Sequence, residues 1–165
     1  MNIDILVEYI IKYGVLFIFF IVYLEQINFP GLGAAILFPA IGAFVAYTES
    51  NFIIVTLITV GAGIAGSITL YILGYYLGNP VLEWFGRRFP KFHKYIERIV
   101  IMAEKHGAKG VLLCRFIPAI RTIVSLVSGT LREKFTVFFI YSTIGIAICN
   151  FALILSGYIT TKSIL

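Results

Sequence analysis

Arg115-Phe116-Ile117-Pro118-Ala119-Ile120-Arg121 sets two permanent positive charges and a helix-breaking proline inside a run that is otherwise apolar. Arginine keeps its proton at any physiological pH, so two of them at membrane depth require water or a negative group opposite them. The segment therefore predicts an anion site. On an unbroken helix, residues six apart differ by about 240° in direction. Pro118 removes an amide donor and interrupts the ladder, which lets both guanidinium groups converge on one ligand. Two planar donor forks suit a phosphate better than a point charge does.

The composition around this segment supplies the membrane. Hydrophobic residues make up 60% of the 165-residue chain and charged residues 13%, and the mean hydropathy is +0.99. Ordinary soluble domains have roughly 45–50% apolar and about 25% charged residues. A chain of this length could not hide so much apolar surface from water, so its main solvent is lipid. The length allows one compact domain, residues 1–165. The start, Met1-Asn2-Ile3-Asp4, lacks the basic region and cleavage site of a secretory signal, so the first apolar stretch is expected to remain in the fold.

Working outward, residues of about 107–130 are apolar but broken at Arg115, Pro118 and Arg121, leaving arms too short to cross a bilayer. They read as a re-entrant hairpin. Residues of about 9–47 form a similar broken stretch, interrupted by Glu25, Asn28, Pro30, Gly31 and Gly33. Arms of about 14 to 18 residues favour a hairpin there over two full crossings. Residues 52–78 and 135–160 are long enough to cross. Glycines 61, 63, 66, 74 and 78 mark the first of these as a packing helix.

Residues 80–106 and their flank carry Arg87, Arg88, Lys91, Lys94, Arg98, Lys105 and Lys109, seven of the thirteen basic residues. The positive-inside rule places this connection in the cytoplasm. Trp84, Phe85, Phe89, Phe92, Tyr95, Ile96, Ile99 and Val100 recur within it at helical spacing, which predicts an amphipathic helix on the membrane surface. Anionic lipid headgroups explain its charge better than nucleic acid does. The expected architecture is an all-α integral membrane protein. It has two inverted-repeat units, each a re-entrant helical hairpin followed by a transmembrane helix, joined by a basic amphipathic surface helix.

Broken backbone at membrane depth is tolerated where it lines a polar cavity, so Glu25 of one hairpin would meet Arg115 and Arg121 of the other. Other readings of the same residues stay open. The arginines could snorkel to the interface or form a static bridge with Glu25, and Glu25 could cap a helix end at the surface. Tyr71 and Asn150 read as interhelical hydrogen-bond partners. Cys114 and Cys149 read as packing residues, and His93 and His106 as solvated. The chain shows no nucleophile–base pair, no metal cluster and no cofactor motif, which argues against an enzyme. Cys114 and Arg121 are also spaced one residue too far apart for a cysteine-phosphatase loop.

Residues 115–121 resemble the R-F-x-P-x-x-R signature of the DedA family, the VTT or SNARE-associated Golgi group of membrane proteins, and Gly129-Thr130 follows as in that pattern. Gly66-Ser67-Ile68-Thr69-Leu70-Tyr71-Ile72-Leu73-Gly74-Tyr75-Tyr76-Leu77-Gly78 resembles the family element G-[DN]-x-x-x-Y-x-x-G-x-x-x-G. Glu25 through Pro30 resembles its E-x-x-x-x-P element. The resemblance covers nearly the whole chain, and the arginine motif is its most specific part.

The resemblance implies a lipid translocase of the bacterial cytoplasmic membrane, multi-pass and without a cofactor. Undecaprenyl phosphate is the implied substrate, with a phospholipid such as phosphatidylethanolamine as the alternative and a non-transporting envelope protein as the second alternative. Arg115 and Arg121 would hold the phosphate headgroup and Glu25 would gate the site or exchange a proton. Pro30, Gly31, Gly33 and Pro118 would break the hairpins, and Gly66, Ser67, Tyr71, Gly74 and Gly78 would pack the helices. Expected partners are the phosphate-bearing lipid, anionic lipids at the basic connection and a second copy in a homodimer, with no nucleic acid. The acidic positions of the family pattern fall at Ala34 and Ser67 here, which favours passive, downhill movement.

Overall fold

The computed structural model describes residues 3–27, 33–78 and 121–164, together with positions 80, 101, 102 and 105. Among the described residues the secondary structure is helical throughout: α1 (Ile3–Gln26), α2 (Ala34–Tyr47), α3 (Phe52–Leu77), α4 (Arg121–Thr130) and α5 (Phe135–Lys162). The basic connection and most of the arginine segment, including Arg115 and Pro118, lie outside the described residues, as do Pro30 and Gly31.

Helices α3 and α5 contain 26 and 28 residues, about 39 and 42 Å at 1.5 Å per residue. Either length exceeds the roughly 30 Å of a hydrocarbon core. Only 39% and 33% of their most apolar stretches are buried, so these are not core helices of a water-soluble globule. Ile53, Leu57, Tyr76, Ile140 and Ile159 are more than half exposed, a surface suited to lipid chains. Lys162 lies over the Tyr158 ring at 5.5 Å in the last turn of α5, pairing a cation with the negative end of the helix dipole.

The helix ends follow local chemistry. Asn51 caps α3, its Oδ1 accepting the Ile53 and Ile54 amides at 3.0 and 3.3 Å. Gly78 ends the same helix at φ +58, a left-handed conformation that glycine adopts without a Cβ clash. Gly78 is therefore a stop signal and not a packing residue. α4 ends in a Schellman turn, with the Glu133 amide donating to the Ser128 carbonyl and the Arg132 amide to the Gly129 carbonyl. Its left-handed position is held by Arg132, at φ +52, and Glu49 takes the same conformation at φ +51 after α2. Each stands three residues ahead of a long helix, and each pays the roughly 1–2 kcal/mol that a side chain costs there.

α1 departs from expectation in length. It begins at Ile3 and runs for 24 residues, where an arm of 14 to 18 residues from about position 9 was expected. No proline or glycine precedes Gly14, so nothing in the charged N-terminal turns halts the helix. α2 has 14 residues and continues through Pro39.

Two compact units divide the chain, residues 1–63 with 147–165, and residues 64–146. In the first, Ile18 and Val22 of α1, Phe38, Ile41 and Val45 of α2, Val55 and Ala62 of α3 and Ile154 of α5 form the core. α2 and α5 touch backbone to backbone. A Cβ on Gly42 would lie 2.0 Å from the Ile154 carbonyl oxygen, and one on Gly157 would lie 2.0 Å from that of Pro39. The second unit repeats the device between α3 and α4. There a Cβ on Gly74 would lie 2.2 Å from the Leu126 oxygen, and one on Gly129 would lie 2.1 Å from the Tyr71 oxygen. In both units the contacting residues of each helix are three apart, and the glycine of each pair is what lets the backbones approach so closely. Gly61, by contrast, faces open space, so not every glycine of α3 serves packing.

Gly157→Ala and Gly129→Ala are expected to destabilise the fold beyond the 1–3 kcal/mol or so of ordinary overpacking, because backbone must move. Gly61→Ala should change stability by less than about 1 kcal/mol. Thermal unfolding of the purified variants in detergent checks both.

Candidate functional site

The second unit brings two of the sequence motifs together. α4 opens with Arg121, the second arginine of the signature, and runs to Gly129-Thr130. It is seated on the glycine element of α3 through the Gly74 and Gly129 contacts. The Thr130 hydroxyl donates to the Leu126 carbonyl at 3.0 Å and reaches the Gly74 carbonyl at 3.4 Å. Arg121 thus belongs to a helix packed on the glycine element of α3.

Tyr71 ties this seat to the start of α5. Its hydroxyl donates to the Glu133 carbonyl in the turn between α4 and α5. Its ring stacks on Phe138 at 4.5 Å between centroids and meets Phe135 edge-on at 5.6 Å. Arg132, exposed on the same turn, lies 5.4 Å above the Tyr75 ring. The expected role of Tyr71 as a hydrogen-bond partner between elements holds.

Polar side chains are buried in both units beside the apolar core. In the second, Ser67, Ser125, Ser128 and Ser142 are buried. The Ser128 hydroxyl makes no hydrogen bond among the described residues. In the first, Glu25, Gln26, Thr59 and Asn150 are buried, Glu25 to 5% exposure. Glu25 sits in the last turn of α1, buried within the unit. Asn150 Nδ2 donates across to the Thr59 carbonyl at 3.3 Å, as its position inside a crossing suggested. Thr59 and Ser67 on α3, and Ser142 and Asn150 on α5, each lie eight residues apart.

Of the remaining predicted residues, Gly66 is buried in α3. Gly33 precedes α2 in an extended conformation, φ −94, with no atom near its missing Cβ, so its place needs no glycine. Cys149 is half-buried in α5. Among the described residues no group of three or more His, Cys, Asp or Glu could hold a metal ion. Sequence reading missed Gly42, Gly157, Thr59, Ser125, Ser128 and Ser142. Small hydroxyls barely disturb an apolar pattern, and which glycine meets a facing helix depends on a neighbour that the sequence does not show.

Residues 29–159 match the VTT domain. The chain belongs to the VTT-domain, or DedA, family. It is 28% identical to a protein named undecaprenyl phosphate transporter A of Staphylococcus aureus, over 93% of this chain and 77% of that one. Protein DedA of Escherichia coli is 28% identical over 96% of this chain and 75% of its own length. A Lactococcus lactis relative named alkaline phosphatase-like protein is 26% identical over 93% and 74%. No solved structure matches. This VTT-domain chain is accordingly a helical membrane protein whose motif residues Tyr71, Gly74, Gly129 and Thr130 form one packed unit with Arg121 at its edge.

Tyr71→Phe should lower stability by about 1 kcal/mol, the net value of one hydrogen bond. Tyr71→Ala should cost about 3–5 kcal/mol through lost aromatic packing. Denaturant titration in micelles separates the two.

Proposed function

We propose that this VTT-domain protein is a passive lipid translocase that carries a phosphate-headgroup lipid across the bacterial cytoplasmic membrane, with undecaprenyl phosphate as its substrate. The observation that carries the reading is the arginine pair 115 and 121, two permanent charges in a chain otherwise built for lipid, the second of them on the helix α4 that packs against α3. The transporter name of the staphylococcal relative supports the substrate. Glu25, buried at the end of α1, is the gating group in this reading. Ala34 and Ser67 are buried where the family pattern is acidic, which supports downhill movement without a proton.

The same reading gives the fold its purpose. Each unit packs one hairpin arm on one long helix through a reciprocal glycine contact of equal spacing, and Glu49 and Arg132 make equivalent left-handed turns before α3 and α5. These correspondences support an inverted repeat of two re-entrant hairpins, the design in which alternating access arises from rocking one repeat against the other. The basic connection would anchor on anionic lipids of the cytoplasmic leaflet. The lactococcal relative's phosphatase-like name invites a hydrolase reading. That reading lacks a nucleophile beside a base, so the arginines are assigned to binding and not to catalysis.

Reconstituted liposomes test this directly, with labelled undecaprenyl phosphate and labelled phosphatidylethanolamine in parallel. Movement of the polyprenyl lipid alone, lost in the Arg115→Ala Arg121→Ala double variant, is the expected result. Movement of both lipids identifies a phospholipid scramblase, and movement of neither by folded protein identifies a structural role. Arg115→Lys should slow transport about tenfold, since lysine forfeits one of two charge-assisted bonds.

A further inference from the structure

The first unit contains a cleft that the headgroup residues do not use. Gly14, Phe17 and Ile21 of α1 and Leu37, Ala40 and Phe44 of α2 are among the side chains around a cavity of about 290 Å³, and every residue lining it is apolar. Water needs two to four polar partners and finds none here, whereas apolar cavities accept hydrocarbon. At about 30 Å³ for a water-sized group, the space holds roughly ten such groups, room for a stretch of one hydrocarbon chain. A second copy of the protein is a poor occupant, because stable interfaces engage about 20–30 residues a side, and this concave patch is lined by only eight.

The cleft also points along the helix toward the gate. Gly14, Ile18, Ile21 and Glu25 follow one another on α1 at intervals of four, three and four residues, the spacing of a single helix face. Glu25 therefore stands one turn, about 6 Å, beyond Ile21 on the face that lines the cleft. We infer that the α1–α2 cleft seats one hydrocarbon chain of the lipid whose headgroup is handled at the Glu25 end of the same hairpin. The inference rests on the translocase reading for the identity of that lipid. Gly14 keeps the floor open: a Cβ there would meet the Phe44 ring at 3.8 Å, an ordinary contact, so the cleft can be narrowed without breaking the fold.

The test uses the full-length protein in lipid nanodiscs with a polyprenyl phosphate carrying a diazirine in its chain. Photolabelling should fall on the cleft residues of α1 and α2. It should drop at least tenfold in Ala40→Phe and measurably in Gly14→Ala, with Leu57→Phe, exposed on α3 and not among the cleft residues, labelled like the wild type. Size-exclusion profiles confirm that each variant is folded, and Gly14→Ala carries the test should Ala40→Phe fail to fold. Undiminished labelling in both filled variants overturns the inference, as does protein–protein cross-linking through the cleft. Flipping at the wild-type rate in a folded Ala40→Phe overturns it while leaving the translocase reading intact. Cleft labelling that the filled variants abolish, in protein that moves no lipid, supports the chain site and removes the translocase reading alone.

Discussion

The structure depends on helices touching through bare backbone. In lipid no hydrophobic force draws apolar helices together, so close packing and short-range polar contacts must hold them. Gly42 with Gly157, and Gly74 with Gly129, provide that approach in the two units, each glycine set against a carbonyl of the facing helix. The longer-range bonds presuppose it. Tyr71 reaches the Glu133 carbonyl because α4 lies against α3, and Thr130 reaches the Gly74 carbonyl for the same reason.

Close packing also decides which polar groups can exist. A hydroxyl or carboxyl facing hydrocarbon is costly; among the described residues eight polar side chains are buried in the units, and exposed hydroxyls such as Thr69, Thr143 and Ser156 bond back to carbonyls of their own helix. Thr59 with Asn150 uses one such pair to bind α3 to α5. Glu25 and the serines Ser125 and Ser128 of α4 are buried as well. A protein whose task was only to persist in lipid would have little reason to bury a carboxylate, which connects the packing to the proposed handling of a charged headgroup.

The turns ahead of the long helices add a local cost in the same places. Glu49 and Arg132 hold left-handed backbone where glycine would be easier, one acidic and one basic. Arg132 recovers part of that cost over the Tyr75 ring.

Composition, run length and charge placement are properties of the chain itself, so the membrane setting, the two long helices at 52–77 and 135–162, the break after Glu25 and the family were all legible from residues alone. The N-terminal arm was misjudged because charged residues end an apolar run without ending a helix, and α1 continues back to Ile3. The glycines were legible as small but not by role. Gly74 and Gly129 are contact points, Gly78 is a left-handed stop and Gly61 touches nothing, distinctions set by what lies opposite each. Likewise Asn150 announced a hydrogen bond, yet its acceptor is 91 residues away in the chain. Sequence determined which segments prefer lipid and where helices must break, because those preferences are local. Tertiary structure alone decided which glycines let backbones meet, which polar groups are hidden and where an apolar cleft remains, because each depends on a neighbour the chain supplies only after folding.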